Sequence, residues 1–468
     1  MATPTPSPKP VVEAGPAGHP PGLMVLFFTE MWERFSYYGM RALLMLYMTL
    51  GPAQGGLGLD LKVAGLVYGF YTFGVYAMSL PAGFLADRWL GYRRAVQIGA
   101  VLIASGEFCL ALGGSTAFYA GLATIILGTG LLKTNCTTLV GQLYSDRDPR
   151  RDAGYSIYYM GINIGAFSAP LVLGFMAQNP SFARLLGQVG LAGTLGWRVA
   201  FATAGVAMLL GLLQFNLRQD RLGDAGRRTD PVDPVSGRPE QQAPLSREEK
   251  LRMAVVGILF VFSVLFFAVY EQAGSTLNLF ADRHTDCRVL GWAFPSSWLQ
   301  SVPALWVLLL SAPFALLWMR LGRRDPSSPA KFAFGLFFVG LGMLVLVPAL
   351  KLTQGGDKVG PLWLVTTYFL HTLGELCLSP VGLSTTSKLA PRRYAGLMMG
   401  VWFGSMALGN LLAGFAASFF GSLDPAPLFL ALFAVTTAGA LLLLALKPMI
   451  QRMIGEQPAD LQPVANEA

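Results

Sequence analysis

Four ionisable residues fall inside one apolar run near the start of the chain: Glu30, Glu33, Arg34 and Arg41. Counted from Glu30, the polar positions recur at 0, +3, +4, +7, +8 and +11, taking in Tyr37 and Tyr38 and ending at Arg41. That is one stripe of an α-helix. Hydrocarbon cannot receive such a stripe, so it must face a polar interior. Other apolar runs are interrupted by Lys133, Glu271 and Glu375, with Asn163 and Gln272 adding amides. The four carboxylates Glu30, Glu33, Glu271 and Glu375 face three cations, Arg34, Arg41 and Lys133, which leaves one carboxylate over. A medium that penalises charge holds such a group neutral with a proton, so the expected chemistry is proton binding and release. The competing reading is a set of inter-helix ion pairs that only fix packing, a weak source of stability because desolvation offsets the attraction. Glu107 stands apart, near no readable motif, and is expected in packing or water contact.

These residues need elements that can cross a bilayer. Of 468 residues, 53% are hydrophobic and 13% charged, against about 25% charged in an ordinary soluble domain. Mean hydropathy is +0.51. That profile excludes a disordered chain, a disulfide scaffold and a typical soluble enzyme, and predicts an all-α membrane protein. Runs long enough to span lie near 22–50, 60–86, 94–113, 116–144, 153–177, 197–217, 251–281, 297–319, 331–350, 361–389, 394–420 and 427–448. The charged, Pro-rich stretch from Arg218 to Lys250 divides these twelve transmembrane helices six and six. The expected organisation is a disordered tail at 1–21, a six-helix bundle at 22–217, a linker at 218–250, a second bundle at 251–450 and a tail at 451–468. The first tail has no apolar core and does not read as a signal peptide.

Lys and Arg set the orientation. One set of loops holds Arg88, Arg93, Arg94, Arg147, Arg150, Arg151, the 218–252 segment, Arg320, Arg323, Arg324, Lys388, Arg392 and Arg393, and is about three times richer in cations than the other. The rich side is expected in the cytoplasm with both termini, in the inner (plasma) membrane. Anionic lipid then accounts for the net charge of +8 without nucleic acid. Cys109, Cys136, Cys287 and Cys377 lie far apart and predict neither a disulfide nor a metal site.

The two halves contribute opposite charges. Arg34, Arg41 and Lys133 come from the first, and Glu271 and Glu375 from the second. A ligand with a carboxylate at one end and an ammonium at the other would bridge them. Asn163 suits the ammonium or an amide, and Tyr37, Tyr38, Tyr76, Phe267 and Trp402 supply apolar walls. A short zwitterionic peptide fits better than a free amino acid or a simple anion.

At these residues the chain resembles the proton-dependent oligopeptide transporter family, peptide symporters of the major facilitator superfamily. Glu30-x-x-Glu33-Arg34-Phe35-x-Tyr37-Tyr38-Gly39 matches its first-span signature, and Tyr159-Met-Gly-Ile-Asn163-Ile-Gly165-Ala-Phe167 its fifth. Ala82-Gly83-Phe-Leu-Ala-Asp87-Arg88-Trp-Leu-Gly91 matches the loop after the second span, and the runs around Lys133, Glu271 and Glu375 extend the match. The resemblance implies the major facilitator fold and proton-driven uptake of di- and tripeptides by alternating access. It implies no cofactor beyond the coupling proton, and a monomer. By it, Glu30, Glu33, Arg34 and Glu271 belong to proton coupling, and Arg41 and Lys133 meet the peptide carboxylate. Asn163 and Glu375 meet its amino terminus, while Tyr38 and Tyr76 line the pocket. Gln272 is placed beside them as a pocket residue. The pairs Arg41–Glu271 and Lys133–Glu375 would join the halves.

Two departures stand out. Many bacterial members carry Gln-Ser-x-Asn-Pro in the eighth span, where this chain has Gln300-Ser301-Val302-Pro303 without the Asn. Many also insert two helices between the halves, for which the 218–250 linker is too hydrophilic. The alternatives are a proton-coupled carrier of another small solute, such as nitrate or a peptide-like metabolite, and a non-transporting sensor. Glu375 argues against a bare anion. An enzyme is not expected: His19, His284 and His371 form no H-E-x-x-H pair, and no Gly-x-Ser-x-Gly run lies in a span.

Overall fold

Twelve long helices account for most of the chain in the computed structural model, which describes residues 18–145, 148, 150–227, 246–391, 394–420 and 425–454. Most of both expected tails (1–17 and 455–468) and the middle of the linker (228–245) lie outside the described residues. The helices are α1 Gly22–Thr49, α2 Leu61–Ala77, α3 Tyr92–Leu112, α4 Ser115–Gln142, α5 Arg151–Gln178 and α6 Gly196–Arg218. The second six are α7 Arg247–Tyr270, α8 Val302–Leu321, α9 Ser328–Leu352, α10 Leu362–Leu389, α11 Ala395–Ala417 and α12 Pro425–Ile454. Among the described residues, ten helices are long and apolar enough to cross a membrane. The other two, α1 and α10, carry Glu30, Glu33, Arg34 and Arg41, and His371 and Glu375, in their interiors.

Local signals mark the ends. Asp60 caps α2 by accepting the Lys62 N–H at 2.8 Å, and Ser246 with Glu249 forms a capping box at the start of α7. The turn between α3 and α4 passes through Gly113 and Gly114, with φ of 76° and 83°, where a side chain would strain the backbone. A two-stranded hairpin, β1 Arg288–Val289 with β2 Trp292–Ala293, links α7 to α8.

The halves close against each other on the face away from the linker. Gly65 and Gly69 of α2 lie against the backbone of α11 at Gly414 and Ser418, a small-residue crossing that lets the helices touch. Asn278 donates to the Ala42 carbonyl at 2.8 Å. At the far end of α5, the Phe167 carbonyl accepts from the Ser301 hydroxyl at 2.7 Å, and the Leu171 carbonyl from the Trp298 indole at 2.9 Å. The Gln178 amide donates to the Ser296 hydroxyl at 3.0 Å. On the linker side, no hydrogen bond among the described residues joins the halves. Tyr159, whose surroundings include Asn163 and Glu375, is 43% exposed there. Among the described residues the hydrogen bonds between the bundles thus gather on the far face, while on the linker side Leu80 packs against Gly400.

Candidate functional site

The stripe on α1 is buried and densely paired. The Arg34 Nε lies 3.2 Å from Glu30 Oε1 and also contacts the Glu33 carboxylate. The Tyr158 hydroxyl of α5 donates to the other oxygen of Glu30 at 2.6 Å. The guanidinium sits 5.1 Å from the Tyr37 ring centroid and 5.9 Å from that of Tyr38. One guanidinium therefore serves two carboxylates, which leaves one negative charge more than it can balance. A proton on either acid leaves a single neutral pair.

Two turns along, Arg41 reaches the other half. Its Nε donates to the Tyr68 hydroxyl at 2.7 Å, and its Nη2 donates to the Glu271 carboxylate. This ion pair joins α1 to α7, at the point where α7 breaks into a tight turn, Glu271–Gly274, before resuming as Thr276–His284. The break brings the Gly274 backbone close to α1 and α2. A Cβ there would stand 2.7 Å from Arg41 Nε and collide with the Tyr68 hydroxyl. Overpacking of this kind costs about 1–3 kcal/mol. Gly274→Ala should therefore weaken the far-side closure by roughly five- to 150-fold in population. The readout is the labelling rate of Ser297→Cys, a buried position on that face, by an impermeant maleimide in a Cys287→Ser background. An unchanged rate would contradict the packing role of Gly274.

Lys133 on α4 lies 4.3 Å above the Tyr76 ring and has no ion-pair partner among the described residues. Glu375 on α10 accepts from the Tyr270 hydroxyl at 2.5 Å and likewise meets no cation there. The Lys133–Glu375 pair implied by the resemblance is not formed in this state, whereas Arg41–Glu271 is. The site thus presents an unpaired ammonium on one half and an unpaired carboxylate on the other. The Asn163 amide donates back to the Tyr159 carbonyl at 3.0 Å. Phe267 and Trp402 are buried edge to face at 6.0 Å. Gln272, expected in the pocket wall, instead spends its amide on the Ala268 and Ala413 carbonyls and the Thr276 hydroxyl, tying α7 to α11.

Tyr68, Tyr158 and Tyr270 went unread in the sequence, although each holds a charged residue of the site. Tyrosine in an apolar span is equally at home as a core ring or a lipid-facing one. Only adjacency, Tyr270 beside Glu271, gave a signal.

A sequence profile of the POT family matches residues 93–238 and 242–427. The uncharacterized transporter YclF of Bacillus subtilis is 37% identical over 95% of this chain and 97% of its own. The peptide transporter YePEPT of Yersinia enterocolitica is 37% identical over 85% and 87%. Among solved structures, a variant of peptide transporter POT in complex with alafosfalin superposes with a TM-score of 0.85 at 37% identity, covering 95% of this chain and 97% of that one. Two six-helix bundles, the intramembrane charges and the profile match agree: the chain belongs to the POT family of membrane transporters.

Proposed function

We propose that the chain is a secondary active symporter that couples inward proton flow to the uptake of di- and tripeptides by alternating access. The observation that carries this reading is the Arg41–Glu271 bridge between the halves, beside a Lys133 and a Glu375 that form no ion pair among the described residues. A peptide fits between them with its carboxylate on Lys133 and Arg41 and its ammonium on Glu375 and Asn163. Tyr38 lies beside Arg41, Tyr76 beside Lys133 and Tyr37 beside Arg34, and these rings form the wall. Glu30, Glu33, Arg34 and Glu271 carry the proton. The bundles at 22–217 and 251–450 rock about the 218–250 linker. The Lys- and Arg-rich side, with both termini, faces the cytoplasm, so the face where the bundles hydrogen-bond is the outer one. The names of the peptide transporters to which the chain is similar support the substrate class.

Purified protein in liposomes with an imposed inward proton gradient should accumulate a labelled dipeptide. Unlabelled dipeptide should compete, N-acetylated dipeptide should compete poorly, and nitrate should not compete. Glu375→Gln keeps a hydrogen-bonding amide and removes the charge facing the ammonium. Bonds to charged groups are worth about 1.5–3 kcal/mol, so affinity should fall about ten- to a hundredfold. Equal affinity for free and acetylated peptides would overturn the placement of Glu375, and competition by nitrate the choice of substrate.

A further inference from the structure

Glu375 has one hydrogen-bond partner among the described residues, the Tyr270 hydroxyl, which donates to its Oε2 at 2.5 Å. Its Oε1 makes no hydrogen bond among them, and the residue is only half-buried, so that oxygen is left to a ligand. The polar side chains of the run before α8 are spent elsewhere. Gln300 donates to the Tyr368 hydroxyl at 3.0 Å, and Ser301 to the Phe167 carbonyl. Asn163 donates to the Tyr159 carbonyl, and Lys133 lies over Tyr76.

Tyr270 is itself held in a packed frame. It is the last residue of α7, where the helix gives way to the Glu271–Gly274 turn. Its ring stacks on Phe266, one turn earlier, with centroids 5.5 Å apart and planes 17° apart. Phe266 is fully buried and rests against Gly374 of α10. The Tyr270 ring also meets the His371 ring of α10 at 6.3 Å. A Cβ on Gly342 of α9 would stand 2.5 Å from His371 Cδ2, so the imidazole is wedged against α9. His371 and Glu375 are four residues apart, on one stripe of α10. Tyr270 therefore lies along that stripe, its ring against His371 and its hydroxyl on Glu375.

We propose that Tyr270 is a positioning residue for recognition of the peptide's amino terminus: its hydroxyl fixes one oxygen of Glu375 so that the other meets the ammonium. The inference rests on the peptide-transport reading above. A glutamate free to rotate must be ordered when its ligand binds, and that loss of freedom weakens binding. One already fixed by a rigid partner loses little. A phenol suits the task because it donates a hydrogen bond without cancelling the carboxylate's charge, which a lysine or arginine in its place would do. The specificity that results is for a free amino terminus.

The test is the affinity of purified protein for a free dipeptide and for its N-acetylated form, in the parent, in Tyr270→Phe, in Glu375→Ala and in the double variant. Phenylalanine keeps the ring and both ring contacts and removes only the hydroxyl. Affinity for the free dipeptide should fall about tenfold, the low end for a hydrogen bond to a charged group, with little change for the acetylated form. Preference for the free amino terminus thus drops about tenfold. Once Glu375→Ala has removed the carboxylate, adding Tyr270→Phe should cost about twofold or less, because the hydroxyl acts through that carboxylate. Equal losses for both peptides in Tyr270→Phe, or an unchanged preference, would overturn the proposal, as would a full loss persisting in the Glu375→Ala background. If Glu375→Ala fails to fold, the change of preference in Tyr270→Phe decides the question. A parent that binds free and acetylated dipeptides equally would overturn the placement of Glu375 itself, and this proposal with it.

Discussion

Glu33→Gln is expected to abolish uptake of peptide against a gradient, so that internal and external concentrations merely equalise. Counterflow should survive at a reduced rate. The reason lies in the shared guanidinium: Arg34 contacts both Glu30 and Glu33, and the whole group is buried in α1. In the proposed mechanism, one proton entering or leaving this triad switches it between a balanced pair and an excess negative charge. The neutral amide removes that switch and fixes the balanced state, because Arg34 still has Glu30, itself held by Tyr158. Peptide can then cross in either direction without a proton being required. Proteoliposome uptake under an imposed proton gradient, beside counterflow in the same preparation, separates the two. Concentrative uptake at the parental rate in Glu33→Gln would remove this residue from the coupling step.

Much of this architecture was legible because a bilayer leaves few choices. Backbone groups in hydrocarbon must be satisfied within helices, so apolar runs translate directly into spans. The ionisable residues of α1, α4, α7 and α10 stood out because charge inside such runs is costly. The helical spacing of Glu30, Glu33, Arg34, Tyr37, Tyr38 and Arg41 placed them on one face, and the structure keeps them there. What the sequence could not supply was the pairing across space. Nothing in the runs around Lys133 and Glu375 says which conformation is populated, and in this one the two are separately occupied with Tyr76 and Tyr270. Gln272 looked like a pocket amide, yet the break in α7 turns it toward the α11 backbone. Glu107 was legible as an oddity only, since its hydrogen-bond partner Ser36 lies on another helix and a serine there carries no signal.

In the proposed mechanism, Glu271 joins proton to peptide. Its carboxylate holds Arg41 across the closed face, so the same guanidinium cannot at once serve a peptide carboxylate fully. A proton on Glu271 releases Arg41 to the peptide, and a bound peptide in turn makes protonation of Glu271 easier. The two ligands should therefore bind cooperatively, by an amount typical of coupled sites, about 1–3 kcal/mol, or roughly five- to 150-fold in affinity. The sign is fixed by the chemistry: the protonated form binds peptide better, so affinity rises as pH falls. Glu271→Gln mimics the protonated form at every pH. The decisive measurement is dipeptide affinity across neutral to mildly acidic pH, in the parent and in Glu271→Gln. The parent should tighten as pH falls, while the variant should bind tightly and independently of pH. Affinities that follow pH equally in both proteins would contradict the account.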